Sequence, residues 1–320
     1  MTGTRTPDSA PPLIVVFGPT AVGKSELLPA LFDSRFEIIN ADSMQVYRHM
    51  DVGTAKPDPA LLSALPHHMI DVAEPSEQFN AGRFVKEAEV LAAQIRGRGR
   101  VPVICGGTAF YITSFLYGMP ESPPANPKER ERLRALERQE GSAALYAMLQ
   151  ARDPQGAARI EPADSSRVMR ALEVVEASGR SLFSFPWPRT PRGAYRFLLI
   201  ALTRERAELY RRIDARVQAM FSAGLLEEVK ALLDRGYGPG DPGMRGIGYK
   251  EILAMRAGCE TLSDVRGLIA RNSRRYAKRQ LTFFHAVNDV SWMDAGCPDA
   301  VRAKVESFVA ATNPPSVAST

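Results

Sequence analysis

LIVVFGPTAVGKS, running from Leu13 to Ser25, decides how the chain folds. Its first half, LIVVF, is a short apolar run rich in β-branched side chains, the pattern of a buried strand. Its second half, GPTAVGKS, fits G-x-x-x-x-G-K-[ST], and a helix is expected from about Lys24. Strand, glycine-rich turn and helix N-terminus together make an anion trap. Gly18 and Gly23 let the backbone turn its N–H groups inward, and the helix dipole adds positive character. Lys24 contributes a point charge, and the Ser25 hydroxyl is of the type that binds Mg²⁺. Thr20 sets a second hydroxyl inside the loop, where it could touch a reacting group or bond its own backbone.

Working outward, further strands are expected at Phe36 to Asn40 (FEIIN), weakly at His68 to Val72, at Val101 to Cys105 (VPVIC) and at Phe197 to Leu202 (FLLIAL). A helix over Ala81 to Ile95 has Phe84, Ala88, Leu91 and Ile95 on one face. Strands alternating with helices imply an α/β fold: a P-loop parallel sheet core flanked by helices. Pro29 should kink or shorten the helix after the loop. The Pro-rich stretches PESPPANP (120–127) and FPWPRTP bracket a charged segment with only helical periodicity. The expected organisation is therefore a disordered tail over 1–12, a core built from 13–119 and 190–310, and an all-helical insertion over 120–189. From Arg204 to about Val309 mostly helix is expected.

Composition narrows the class of protein. With 45% hydrophobic and 24% charged residues the chain is an ordinary globular one, and no apolar run is long enough to span a membrane. The three cysteines, Cys105, Cys259 and Cys297, are far apart and form no C-x-x-C pair, so neither a disulfide framework nor a zinc site is indicated. That pattern and the polar N-terminus suit a cytoplasmic protein. A net charge of +5 permits a nucleic-acid partner without requiring one.

Two features could turn the loop into a reactive site. Asp42 follows the second strand, and ligands bind at the carboxyl ends of strands in such sheets. Its carboxylate could hold Mg²⁺ through water, take a proton from a nucleophile, or cap the next helix. Gly106-Gly107-Thr108 ends another strand with two small residues and a hydroxyl. Basic residues then gather late in the chain. Arg271, Arg275, Lys278 and Arg279 share one helix face, with Tyr276, Phe283 and Phe284 interleaved. Arg167 and Arg170 follow an N-cap-like Asp164. Arg212 and Arg216 could return to the loop as clamps or pair with Glu208 and Asp214. Arg245 sits among the glycines of GMRGIGYKE, and His67-His68 are expected to be structural.

GPTAVGKS, INADSMQVYRHMDVGTAKP, PHHMIDV, VICGGTAFY, DSSRVMRALEV, GLLEEV, GIGYKE and YAKRQLTFF occur in this order between about residues 13 and 285. Together they resemble the tRNA dimethylallyltransferase (isopentenyltransferase) family, bacterial type. Pro29, Gln218 and Met244-Arg245-Gly246 depart from the family's pattern. The resemblance implies transfer of a dimethylallyl group from its diphosphate to N6 of the adenosine just 3′ of the anticodon. Gly18, Pro19, Thr20, Ala21, Val22, Gly23, Lys24 and Ser25 would then hold dimethylallyl diphosphate rather than ATP, with Mg²⁺ at Ser25. Asp42 would be the general base, with Thr20 and Arg216 beside the leaving group. Asp42, Ser43, Met44 and Gln45, with Thr108 and Arg130, would meet the tRNA anticodon stem-loop. So would Ser166, Arg167, Val168, Met169 and Arg170, then Arg245, Gly246, Ile247, Gly248, Tyr249 and Lys250, and finally Lys278, Arg279 and Gln280. No membrane partner is expected, and a monomer is. The competing readings are a small-molecule P-loop kinase and an RNA-binding nucleotide switch.

Overall fold

The computed structural model describes residues 10–256, 258 and 261–311. Six strands form one sheet: β1 (Pro12–Phe17), β2 (Phe36–Asn40), β3 (His67–His68), β4 (Val101–Gly106), β5 (Arg196–Thr203) and β6 (Ser291–Asp294). Their order is β3-β2-β4-β1-β5-β6, and every pairing is parallel. Residues Leu13 to Phe17 are almost entirely removed from solvent, as a strand covered on both faces requires. The chain divides into two compact units: one from residue 117 to 191, the other from the remainder.

In the larger unit the early helices are α1 (Lys24–Leu31), α2 (Pro59–Ala64), α3 (Ala81–Gly97) and α4 (Ala109–Tyr117). Pro29 lies inside α1, which ends two residues later. The insertion unit holds α5 (Pro127–Glu140), α6 (Ser142–Arg152), α7 (Pro154–Ala157) and α8 (Ser165–Ser178). The chain then returns to α9 (Arg206–Ser222), α10 (Leu225–Asp234), α11 (Tyr249–Arg256), α12 (Leu262–Phe284) and α13 (Pro298–Ala310). Cys259 lies outside the described residues.

Three sequence expectations are corrected. Most of the segment 1–12 also lies outside the described residues, but Ala10 is buried and Pro12 already pairs with Arg196. A proline is tolerated there because the first residue of a strand need not donate. The strand expected over 68–72 is cut to His67–His68, because Met69 and Asp71 adopt left-handed backbone (φ 66° and 55°). His68 bonds Glu37 and His67 bonds the Leu65 carbonyl, so the pair is structural. The stretch from Arg204 to about Val309, expected to be mostly helix, also holds strand β6, which carries no strand signal because SWMD, at four residues, is too short to show a period of two.

The order β2-β4-β1-β5 brings four carboxyl ends side by side: Asp42 after β2, Gly107-Thr108 after β4, the loop after β1 and Arg204 after β5. Helix α12 packs against this edge. A Thr261–Asp264 capping box starts it, and its Phe284 ring meets Phe17 at 4.7 Å. The insertion unit has its own core, with Leu133, Leu145, Leu149, Val168 and Leu172 fully buried.

Candidate active site

The loop after β1 is held from several directions. Lys24 Nζ folds back to donate to the Gly18 and Pro19 carbonyls, at 2.9 Å each. Its burial pushes the ammonium down to a pKa of about 8, against the nearby Asp42 charge. Gln280 bridges two strand ends: its Oε1 accepts from the Thr20 N–H at 2.9 Å, and its Nε2 donates to Gly107 O at 2.6 Å. Arg216 donates to Thr20 Oγ1 at 3.1 Å and to Thr54 O at 3.3 Å. Burial disfavours its charge, and Asp42 partly restores it. The Arg212 and Arg216 side chains thus return to the loop, while Glu208 and Asp214 pair with Arg211 and Arg274.

Asp42 faces this loop across the site. Its Oδ1 accepts the N–H groups of Met44 (2.8 Å) and Gln45 (3.3 Å), which aims the carboxylate and leaves Oδ2 for a ligand. Beside it, Thr108 Oγ1 accepts the Ser43 N–H at 2.8 Å and donates to Ser43 Oγ at 3.2 Å. The approach is so close that a Cβ on Gly106 would lie 2.2 Å from Ala41 O, so only glycine fits.

A cavity of about 290 Å³ lies between the loop and Asp42. Its polar lining includes Thr20, Asp42, Arg216 and Arg279, and its apolar lining Ile213, Met220 and Ile269. Tyr276 also lines it, its hydroxyl pushed up to a pKa of about 12, chiefly by burial and further by Asp42. A wider groove between α9 and α12 shares Val217 with it but is lined by no loop residue.

The wall opposite the loop depends on Glu228, which sequence reading left inside a motif. Its carboxylate accepts the N–H groups of Asp51 (2.6 Å), Val52 (2.7 Å) and Gly53 (3.0 Å), and the Tyr249 hydroxyl at 2.7 Å. A Cβ on Gly53 would lie 2.5 Å from the Tyr249 ring. Glu227-Glu228 looks like a solvated pair in sequence, and only the three-dimensional approach of the 51–53 loop distinguishes the second. Arg204, at a strand end, carries as little signal, whereas Tyr276, singled out within the basic run, lines the cavity.

The residues expected to meet tRNA divide. Arg245, Lys250, Lys278 and Arg279 are exposed, and Ile247 and Gly246 line the cavity mouth with Met44. Tyr249 is fully buried on Glu228, Gly248 N–H is held by Glu251, and Gln45 and Gln280 are buried on backbone partners. The Tyr249, Gln45 and Gln280 side chains organise the site from within. In the insertion unit Asp164 caps α8 as expected, and Ser166 and Arg167 are exposed. Val168 is core, Met169 packs against that core, and Arg130 and Arg170 turn onto buried Glu173.

For Mg²⁺ the donor set is sparse but suitable. Ser25 is exposed at the start of α1, and Mg²⁺ usually takes one or two protein oxygens, with phosphates and water completing the shell. Among the described residues no cluster of three His, Cys, Asp or Glu offers an alternative.

A six-stranded parallel sheet with a G-x-x-x-x-G-K-S loop after its first strand, and a carboxylate across a cavity from that loop, define an α/β protein with a candidate anion site. A model of the IPP transferase family matches residues 45–287. The tRNA dimethylallyltransferase of Geobacter sulfurreducens is 44% identical over 284 residues, 88% of this chain and 91% of that protein. The tRNA dimethylallyltransferase 1 of Syntrophotalea carbinolica is 41% identical, covering 94% and 97%. Among solved structures, the full-length tRNA isopentenylpyrophosphate transferase of Bacillus halodurans superposes with a TM-score of 0.65 at 37% identity, covering 93% of this chain and 97% of that one. A eukaryotic dimethylallyltransferase captured acting on tRNA gives a TM-score of 0.74 at 25% identity, covering 94% and 78%. The chain belongs to the tRNA dimethylallyltransferase family of IPP transferases.

Proposed function

We propose that the protein transfers a dimethylallyl group from dimethylallyl diphosphate to N6 of the adenosine 3′-adjacent to the tRNA anticodon, releasing diphosphate. The observation that carries this reading is the pairing of an anion loop and an aimed carboxylate across one cavity, in a chain of this family. The allylic C1–O bond breaks and a C1–N6 bond forms. The electron pair of the broken bond leaves with the diphosphate. Backbone N–H groups of Gly18 to Ser25, Lys24 and Arg216 stabilise that charge. Asp42 Oδ2 accepts the proton lost from N6 as the bond forms, which offsets the weak nucleophilicity of an adenine amine. Thr20 orients Arg216 toward the leaving group. Mg²⁺, bound at Ser25, would add charge neutralisation at the diphosphate.

The base must leave its stack to reach the cavity, which costs a few kcal/mol and least in a loop. Arg271, Arg275 and Lys278 form an exposed basic stripe on α12 that runs to Arg279 at the cavity lining, suited to the phosphates of the anticodon stem-loop. Arg245 and Lys250 extend it. Ser166 and Arg167 offer further contacts from the insertion unit, and Thr108 from the site's edge. Among the described residues no helix is long and apolar enough to cross a membrane, and we expect a cytoplasmic monomer. Incubation with dimethylallyl diphosphate, Mg²⁺ and unmodified tRNA, followed by mass spectrometry of the nucleosides, tests the reading. Adenosine must gain one isopentenyl unit; an unchanged adenosine rejects it.

A further inference from the structure

Three arginines address three consecutive residues of the phosphate loop. Arg216 reaches the Thr20 hydroxyl at 3.1 Å, Arg212 Nε donates to Ala21 O at 2.9 Å, and Arg204 Nε donates to Val22 O at 2.7 Å. Only the first enters the mechanism above. Arg212 and Arg216 stand one turn apart on α9, and Arg204 directly follows β5. The parallel register of β1 and β5 therefore aligns all three with the loop. A second nitrogen of each of the two further arginines is anchored: Arg204 Nη2 on Ala295 O at 3.3 Å, Arg212 Nη2 on the Glu26 carboxylate. A Cβ on Gly23 would lie 3.3 Å from Arg204 Nη2 and 3.7 Å from Arg212 Nη2. Both guanidinium groups thus lie directly behind the point where the loop becomes α1.

A peptide is planar, with its C=O and N–H pointing opposite ways. Fixing Ala21 O on Arg212 therefore fixes the direction of the Val22 N–H, and fixing Val22 O on Arg204 fixes that of Gly23. The loop needs this restraint. Ala21 sits at φ 62°, a left-handed conformation that an L-residue keeps only when its surroundings hold it. The Val22 N–H makes only a long turn bond, 3.3 Å to Pro19 O, which a phosphate oxygen can replace. A cation on the carbonyl also polarises the amide, which makes its N–H a stronger donor. A neutral donor would hold the same geometry without that effect.

We propose that Arg204 and Arg212 are positioning residues for the leaving diphosphate, acting through the Val22–Gly23 and Ala21–Val22 peptides rather than by contact. The proposal rests on the reading of the loop as a diphosphate cradle. It assigns the charge behind the loop to the same task as the N–H groups in front of it.

The test uses the full chain with Arg212→Met, Arg204→Met and the corresponding lysine variants. Calorimetry measures Mg²⁺-pyrophosphate binding well below the melting temperature, and steady-state kinetics follow prenyl transfer. Arg212→Met should weaken pyrophosphate binding about tenfold and lower kcat by at least as much, the range expected for a lost charge-assisted hydrogen bond. Arg204→Met should weaken pyrophosphate binding about fivefold, and KM for tRNA should stay within about twofold in both. Lysine should recover part of each loss, since it restores the charge without the directed Nε–H. If a methionine variant does not fold, the lysine variant decides by the same two measurements. Unchanged pyrophosphate affinity and kcat, with only a lowered melting temperature, overturns the proposal and leaves a structural latch. A wild-type protein that binds no pyrophosphate overturns the diphosphate reading itself.

Discussion

Arginine clusters occur in both units, and they are wired differently. In the insertion unit Arg130 makes a bidentate pair with Glu173, at 2.6 and 2.8 Å, and Arg170 adds a contact at 3.4 Å. The Glu173 side chain is 1% exposed, so the two cations neutralise a buried anion and tie α5 to α8. In the larger unit Arg204 and Arg216 turn instead to neutral acceptors, the Val22 and Ala295 carbonyls for one and Thr20 Oγ1 and the Thr54 carbonyl for the other. Among the described residues neither makes an ion pair with a carboxylate; on the proposed reading Arg216 faces the leaving diphosphate while Arg204 polarises the loop from behind. On the proposed reading the difference separates cations that build the fold from cations that serve the diphosphate, although in sequence both kinds are plain arginines.

The strongest way to break this contrast is at the acid across the cavity. Asp42→Ala should slow transfer by about 10²–10⁴-fold while tRNA affinity changes little, measured by single-turnover kinetics and filter binding. Equal losses in both would remove the general-base role. Next, Arg216→Met should lower kcat/KM for dimethylallyl diphosphate by about 10²–10³-fold with a small change in melting temperature. Arg130→Met should do the reverse: a stability loss of about 3 kcal/mol in denaturant titration and less than about a tenfold change in kcat. An Arg130 variant that kept its stability and lost its turnover would erase the distinction between the two clusters.

Lys24 sharpens the comparison through pH. Its pKa in the free protein is lowered to about 8, so it is charged below that value and neutral above it. A bound diphosphate favours the charged form and raises that pKa. Binding therefore takes up a proton near pH 8, and pyrophosphate affinity should fall by up to about tenfold per pH unit above it. Calorimetry in buffers of different ionisation enthalpy measures the uptake; a flat profile from pH 7 to 9.5 contradicts it. The smallest effect is expected on the outer face. Arg271→Ala or Arg275→Ala should weaken tRNA binding a few-fold and reduce the salt slope by about one.

The sheet and its site edge were legible because their signals are local. LIVVF, FEIIN, VPVIC and FLLIAL are short apolar runs that fully covered parallel strands produce, and the loop motif carries its own geometry. What stayed hidden depends on which segments meet. Gln280 looks like one more polar residue in a basic helix, yet it joins Thr20 to Gly107. Glu228 looks solvated, yet it gathers three backbone N–H groups. Tyr249 stands in a motif that suggests contact with ligand, yet its hydroxyl is buried on Glu228. Periodicity reports which face of a helix turns inward, and says nothing of which loop it will find there.

The place of β1 at the centre of the sheet also has a consequence for synthesis on the ribosome. One of its neighbours, β4, emerges within the first 106 residues, but the other, β5, begins only at Arg196. At about 5–20 residues per second, β1 and its loop wait roughly ten to forty seconds with one edge unpaired. The insertion unit, contiguous from 117 to 191, is made during that interval and can fold from its own core before the sheet closes. The nascent chain thus holds an open strand edge for most of its synthesis, and chaperone capture or aggregation should concentrate on chains arrested before β5.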